Sequence, residues 1–99
     1  MTPEAKAKKR VYELLKTYQA YYVVTVTGGF GRSGAPDITG CSKGRYFGIE
    51  VKADTDVTAL QQKNLNQISK AGGFAVVVRI SSKGVVEGMQ ELEDFLKGA

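Results

Sequence analysis

The run YFGIEVK at positions 46–52 is the feature that most limits how this chain can fold. Apolar and polar residues alternate along it with a period of two, the period at which strand side chains point to opposite faces of a sheet. Glu50 and Lys52 therefore emerge together on one face. The opposite face is apolar and consists of Phe47, Ile49 and Val51. The run predicts a strand with one face in the core and another that can carry chemistry.

A second carboxylate, Asp37, is predicted to lie opposite Glu50. Residues 37–41 and Arg45–Lys52 are expected to form a β-hairpin that turns on Lys43 and Gly44. With this two-residue turn, Asp37 faces Glu50 and their Cβ atoms lie about 5 Å apart. A three-residue turn centred on Lys43 would shift the register by one and leave the pair diagonal.

Two carboxylates in this arrangement indicate a cation site. Like charges directly opposed on a sheet are destabilising. A divalent cation held by both carboxylates, a backbone carbonyl and water reverses that penalty. Taken alone, Asp37 after Pro36 is typical of a turn, and Glu50 with Lys52 is typical of a solvated strand face with a weak ion pair.

Five fragments of the sequence, in their order and spacing, resemble the virus-type replication-repair nuclease (VRR-NUC) domain of the PD-(D/E)xK nuclease superfamily. They are TPE at 2–4, GRSGAPD at 31–37, FGIEVKA at 47–53, TALQ at 58–61 and AGG at 71–73. The resemblance reaches from residue 2 to about residue 80. It favours the site interpretation of Asp37, Glu50 and Lys52 over the turn and the solvated face.

The resemblance implies an endonuclease, dependent on Mg²⁺ or Mn²⁺, that hydrolyses DNA and leaves a 5′-phosphate. Asp37, Glu50 and the Val51 carbonyl would bind one or two ions, and Lys52 would orient or deprotonate the attacking water. Branched, flapped or four-way DNA is the expected substrate. Because one chain carries one site, paired cleavage of two strands would need a homodimer. A role in DNA repair and a phage-like stand-alone form are also implied.

The pattern of elements predicts an α/β fold with a restriction-endonuclease-like αβββαβ core, a mixed sheet flanked by helices, in a single domain over residues 1–99. The predicted helices cover residues 3–19 and 58–71, and a further helix near the end carries Met89, Leu92, Phe95 and Leu96 on one side. The predicted strands are residues 21–26, the two hairpin strands and Phe74–Ile80, with a short strand at 85–86. Because Phe74–Ile80 is apolar almost throughout, we expect helices to cover both of its faces.

Gln61 has two interpretations, and both can hold together. With Thr58 it forms the sequence pattern of a capping box at a helix start. It also lies on an inward stripe with Leu65 and Ile68, which indicates a role in the active site. Asp54 and Asp56 follow the predicted strand and are interpreted as loop and helix-capping residues.

Glu4 is predicted to be an outer contact of the metal site. An acidic residue in the first turn of a helix is favourable wherever it points, because of the helix dipole. Glu4 lies on the apolar side of its helix with Ala7 and Val11, however, so it is expected to turn inward, where a carboxylate needs a cation or hydrogen-bond donors. Glu13 is expected to point away.

Basic residues give the expected contacts to DNA. The 14 Lys and Arg residues exceed the 10 Asp and Glu residues, so the net charge of +4 favours a polyanionic partner. Arg32 lies on the glycine-rich segment 28–34, which is interpreted either as a flexible connection or as a phosphate-binding loop. Lys6, Lys9 and Arg10 on the first helix are expected to contact phosphates farther away.

Composition excludes several other classes of site. The chain has no His, which excludes histidine-based nuclease mechanisms and His-ligated zinc, and its single Cys41 excludes an intrachain disulfide. No apolar run approaches the roughly 20 residues that span a bilayer, so no membrane contact is predicted and the expected location is the cytoplasm, that of a bacterial host if a phage encodes the chain. The alternatives to an enzyme are a non-catalytic nucleic-acid-binding module on a nuclease fold and an interaction subunit of a larger assembly.

Overall fold

A five-stranded mixed sheet with helices on both faces forms the fold, in the order β1-β2-β3-β4-β5. The computed structural model describes residues 1–25 and 33–98. The strands are β1 (Tyr21–Val24), β2 (Ile38–Ser42), β3 (Arg45–Lys52), β4 (Phe74–Ile80) and β5 (Val86–Glu87), and the helices are α1 (Pro3–Thr17), α2 (Ala59–Lys70) and α3 (Met89–Lys97). β3 and β4 are parallel and the other neighbours are antiparallel. The predicted αβββαβ order is confirmed, and β5 and α3 follow it.

The β2–β3 hairpin has the predicted two-residue turn. Lys43 and Gly44 both have positive φ, 52° and 78°, as a type I′ turn requires. Ser42 pairs with Arg45, and Ile38 pairs with Ile49 at the other end. β2 begins and ends one residue later than predicted, so Asp37 lies just before the strand. The register that brings Asp37 to Glu50 is confirmed, and the three-residue alternative is wrong.

Local capping explains where α1 begins. The Thr2 side chain accepts a hydrogen bond from the Ala5 N–H at 3.1 Å, and Pro3 occupies the first turn of α1. Such a cap satisfies a backbone donor that lacks an intrahelical partner. α1 ends at Thr17, two residues earlier than predicted, and Gln19 then takes a positive φ of 57°. No helix in the described ranges is both long and apolar enough to cross a membrane.

The two faces of β3 pack against different helices. On one face Phe47, Ile49 and Val51 are fully buried in a core shared with α1 and α3. On the other face Gly48 lies beneath Ile68 of α2 and beneath Pro36, because a Cβ at Gly48 would be 2.6 Å from Ile68 Cδ1 and 3.1 Å from Pro36 Cγ. The absence of a side chain at Gly48 therefore lets α2 and the segment before β2 approach the sheet closely.

β4 has helices on both faces, as predicted, but it is not fully buried. It contacts α2 on one side and α1 and α3 on the other. Only Val78 is buried, and the other residues of the strand are half-buried. Because β5 pairs with only Arg79 and Ile80, the outer edge of β4 is covered over a short length. The short strand predicted at 85–86 begins one residue later, at Val86.

Gly48→Ala should destabilise the protein by about 1–3 kcal/mol, the usual cost of overpacking a close contact. The contact is with Ile68 Cδ1, and Ile68→Val removes that atom at an expected cost of about 0.5–1.5 kcal/mol. In the Ile68→Val background, Gly48→Ala should therefore cost less than it does alone. Chemical denaturation of the four proteins of this double-mutant cycle measures the difference. Strictly additive costs would mean that Ile68 does not restrict the space above Gly48.

Candidate active site

Backbone and side-chain hydrogen bonds fix Asp37 at the C-terminal end of β3. Its Oδ2 accepts a hydrogen bond from the Val51 backbone N–H at 2.8 Å. Its own carbonyl accepts one from the Thr25 N–H at 2.8 Å, and the Thr25 hydroxyl donates to the Pro36 carbonyl at 2.5 Å. The segment just after β1 and the end of β3 therefore hold Asp37 from both sides.

Glu50 is a buried carboxylate beside Asp37. Its exposed fraction is 1%, and its Oε2 has no hydrogen-bond partner in the described part of the chain. The pKa of Glu50 is raised to about 8, mainly by burial and then by a hydrogen bond with Asp37 and the charge of Asp37, while the charge of Lys52 opposes the rise. Without a cation, Glu50 is therefore held largely in its protonated form at neutral pH.

The residues present fit a divalent cation. An unpartnered buried carboxylate oxygen is costly unless it meets a donor or a cation, and Oε2 of Glu50 is such an oxygen. Within a strand, the N–H and C=O of one residue point to the same neighbour. The Val51 carbonyl therefore points to the side on which Asp37 accepts from the Val51 N–H. Two carboxylates and a carbonyl are the oxygen ligands that Mg²⁺ and Mn²⁺ favour.

A third acidic ligand does not join this pair. Among the residues that the structure describes, no three Asp, Glu or Cys side chains converge on one point. Glu4 is exposed, while Ala7 and Val11 are buried. The Glu4 side chain is therefore solvated and does not pack inward with them, in a first turn of α1 that lies beside the loop after β3. Its role as an outer contact of the metal site stays a prediction. Its charge still raises the pKa of Glu50, so the two carboxylates interact through space.

Lys52 shares a sheet face with Glu50 and is half-buried. It lies beside Arg79 of β4 in the parallel register. Both ion pairs found among the described residues involve Arg79, with Asp56 at 3.4 Å and with Glu87 at 3.8 Å. The Lys52 ammonium is thus not held in a salt bridge there, and it can contact a phosphate or a water molecule beside the carboxylates.

Arg79 was not singled out from the sequence, although a lone cation in an apolar strand is unusual. Its guanidinium donates to the Thr55 carbonyl and contacts Asp56. Asp54 accepts hydrogen bonds from the Ser82 N–H at 3.0 Å and the Ser82 hydroxyl at 3.1 Å. These contacts anchor the loop after β3, and they agree with the loop role predicted for Asp54. Asp56, in contrast, binds Arg79 and does not cap α2.

Gln61 acts as the capping residue of α2. Its Oε1 accepts a hydrogen bond from the Thr58 N–H at 3.0 Å, and its own N–H donates to the Thr58 hydroxyl at 3.2 Å. The capping box is confirmed. Gln61 uses its side-chain oxygen in this cap. Its role in the active site stays a prediction.

Asn64 positions the segment before Asp37 and was missed from the sequence. It is buried, and its amide donates to the Ser33 carbonyl at 3.2 Å and the Leu60 carbonyl at 2.9 Å. Gly34 lies against the same helix with a positive φ of 76°. An Asn one position before Leu65 on the inward stripe of α2 was the available sign, but the bond to Ser33 spans 31 positions.

The predicted DNA-binding residues fall into two groups. Arg32 lies outside the described residues. Lys6, Lys9 and Arg10 are exposed on α1, as predicted. α1 packs on the core face of β3, opposite the face that carries Glu50 and Lys52. These three side chains therefore lie on a helix that covers the opposite face of the sheet, and their contact with DNA stays a prediction.

Comparison with solved structures shows the fold. The chain is similar to Hjc of Archaeoglobus fulgidus, a Holliday junction resolvase from an archaeal hyperthermophile, with a TM-score of 0.61 and 17% identity. The match covers 83% of this chain and 72% of that one. No protein-family model and no curated protein matches the sequence. The fold is thus restriction-endonuclease-like, a five-stranded mixed sheet flanked by helices.

Metal-free protein should lose stability as pH rises, and Glu50→Gln should remove part of that loss. Glu50 binds its proton more tightly when folded, with a pKa of about 8, than in the unfolded chain, with a pKa of about 4.3. The contribution of Glu50 to the free energy of unfolding is fully present below about pH 4. It is lost as pH rises to about 8, by an amount on the order of a few kcal/mol. Denaturation in EDTA at several pH values measures it.

Glu13→Gln is the matched control, because it removes the same charge from an exposed position on α1. The Glu50→Gln protein should be more stable than wild type at pH 9 and similar to it at pH 4. Parallel pH profiles for wild type and Glu50→Gln would contradict the assignment of a raised pKa to Glu50.

Proposed function

We propose that the chain is a metal-dependent endonuclease that hydrolyses phosphodiester bonds in DNA, on a single VRR-NUC-like domain. The observation that carries the proposal is the buried Glu50 carboxylate, whose Oε2 lacks a partner and which lies beside Asp37 at the end of β3. Such a pair is costly in a structural role, because burial and like charge both oppose ionisation. The shared fold with a junction resolvase supports the same conclusion.

Asp37, Glu50 and the Val51 carbonyl would hold Mg²⁺ or Mn²⁺. The chemistry that the cation would supply there is activation of water for attack on phosphorus and compensation of the negative charge of the phosphate. Asp37 is oriented for this role by the Val51 N–H. Lys52, on the same face as Glu50, would orient or deprotonate the attacking water and stabilise the charge that develops on the phosphate oxygens. The 5′-phosphate product is an expectation from the family resemblance.

The proposed substrate is branched, flapped or four-way DNA. Support comes from the fold shared with an enzyme described as a Holliday junction resolvase and from the net charge of +4. Arg32, Lys6, Lys9 and Arg10 are proposed to contact phosphates, and Gln61 to assist at the site. A homodimer is proposed because one chain offers one pair of carboxylates, while resolution of a junction requires two cuts. DNA repair in a phage-infected or cellular cytoplasm is the proposed setting.

Asp37→Asn and Glu50→Gln should each abolish cleavage, because each removes a proposed metal ligand. Lys52→Ala should retain metal binding but slow the chemical step by roughly two orders of magnitude or more. The assay compares duplex, single-stranded, flapped and four-way DNA with Mg²⁺, with Mn²⁺ and with EDTA. Calorimetry of metal binding separates the two kinds of defect.

Thermal unfolding in EDTA serves as the control for these variants, since all three should remain folded. Cleavage by Asp37→Asn or Glu50→Gln at near the wild-type rate in saturating Mg²⁺ would overturn the metal assignment. DNA binding by wild type without metal-dependent turnover would instead favour a non-catalytic binding module. Loss of metal binding in Lys52→Ala would reduce Lys52 to a structural role.

Glu4→Gln should raise the Mg²⁺ concentration needed for half-maximal cleavage. Glu4 is exposed and interacts with Glu50 through its charge, so its removal weakens the attraction of the site for a cation. The expected effect is severalfold and should diminish as salt increases, since exposed charges are screened. Glu13→Gln, with the same charge change farther along α1, should leave the titration unchanged. Equal titrations for the two variants would limit Glu4 to a favourable charge at a helix start.

A further inference from the structure

A groove of about 650 Å³ opens on the sheet face that carries Glu50, between α2 and the β2–β3 hairpin. Its lining includes Pro36 and Thr39 from the β2 side, Tyr46 of β3, Ile68 of α2 and Gly73 after α2. This volume lies within the range of about 300–1,000 Å³ that is typical of small-molecule sites. The proposed chemistry at Asp37, Glu50 and Lys52 leaves the groove without a role.

Tyr46 gives the groove an aromatic wall. The side chain is half-exposed, with an exposed fraction of 50%. Its ring lies close to Gly73 and Ile68, since a Cβ at Gly73 would lie 3.2 Å from Tyr46 Cδ2 and 2.9 Å from Ile68 Cγ2. A half-exposed aromatic ring is the kind of platform on which nucleic-acid-binding proteins stack unpaired bases.

The groove reaches the segment that enters the proposed active site. Tyr46 and Glu50 lie on the same face of β3, and four residues of strand separate them by about 13 Å. Pro36, which lines the groove, immediately precedes Asp37. Ile68 and Pro36 cover Gly48 between Tyr46 and Glu50, so a DNA strand whose phosphate lies at Asp37 and Glu50 reaches the exposed Tyr46 by running over Pro36 and Ile68.

The groove lining carries no charged side chain, so no Asp or Glu there repels a phosphate backbone. α2, which forms one wall, contains Lys63 and Lys70 outside the groove lining and no acidic residue. These two lysines attract a polyanion to the α2 side of the sheet.

We propose that this groove binds an unpaired nucleobase of the substrate strand, stacked on Tyr46. The proposal rests on the proposed nuclease function and narrows its substrate: DNA with unpaired nucleotides beside the scissile bond should be preferred to fully paired DNA. Stacking tolerates any base, because every base has a π-face. Sequence preference in this groove should therefore be weak, and preference for local single-stranded structure should be strong.

Binding assays in EDTA test the proposal without cleavage. The probes are a fully paired duplex and the same duplex with a five-nucleotide flap that carries 2-aminopurine, whose fluorescence falls on stacking. Tyr46→Ala should weaken binding of the flapped probe by roughly 5- to 100-fold, the range that stacking of one base supports, and abolish the fluorescence decrease. Tyr46→Phe should bind as wild type does. The duplex affinity should change less than about twofold in either variant.

Two further variants keep the test decisive. Tyr46→Leu preserves apolar contact with Gly73 and Ile68 but removes the ring, so it should reproduce Tyr46→Ala even if the smaller residue destabilises the fold. Tyr21→Ala is the matched control: Tyr21 is 71% exposed and shares the sheet face of Tyr46 through Cys41, but it lies outside the groove. Tyr21→Ala should leave the binding of both probes unchanged.

Three results would overturn the proposal. They are unchanged flap binding in both Tyr46→Ala and Tyr46→Leu, an equal loss of affinity for flapped and paired DNA, and a loss that tracks the conversion of a dimer to a monomer in sedimentation. The last result would make the groove an interface between copies of the chain. The binding assay does not depend on cleavage, so the two proposals can fail separately. A wild-type protein that cleaves no DNA in the nuclease assay but still shows Tyr46-dependent flap binding would overturn the nuclease function and leave base binding in place.

Discussion

The close approach of Asp37 and Glu50 is the constraint on which the rest of the structure depends. Burial and the neighbouring carboxylate both raise the pKa of Glu50. The pair is tolerated because the Val51 N–H donates to Asp37 and because Glu50 is held in its protonated form when no cation is present. Two carboxylates held this close and partly out of water attract a cation strongly. Two carboxylates spread over a solvated face would attract one only weakly.

The backbone around the pair keeps it in place. The type I′ turn at Lys43 and Gly44 sets the hairpin register, which pairs Ile38 with Ile49 and so brings Asp37 opposite Glu50. Gly48 lets α2 and Pro36 close over the strand two residues before Glu50. Arg79 and Asn64 then fix the loop after β3 and the segment before Asp37. Precision at the site thus comes from rigid elements on both sides of it.

Sequence patterns predicted the elements whose causes are local. The capping box of Thr58 and Gln61, the turn at Lys43 and the apolar run Phe74–Ile80 were each recognisable, because their stabilising contacts join residues within four positions or follow the period of a strand. Burial that depends on distant contacts was harder to predict. Glu4 follows the apolar phase of α1, yet its side chain is exposed.

By itself the sequence determined the strand with two unlike faces, the order of the elements and the positions of Asp37, Glu50 and Lys52 within them, since periodicity and turn chemistry act between neighbours in the chain. Only the tertiary structure decided that Glu50 is almost wholly buried with an unpartnered oxygen, that Asn64 and Arg79 hold the flanking segments, and that Tyr46 borders a groove. Those features arise from contacts between residues far apart in the chain. The geometry of these contacts depends on how α2 packs on the sheet, and no local sequence pattern indicates that packing.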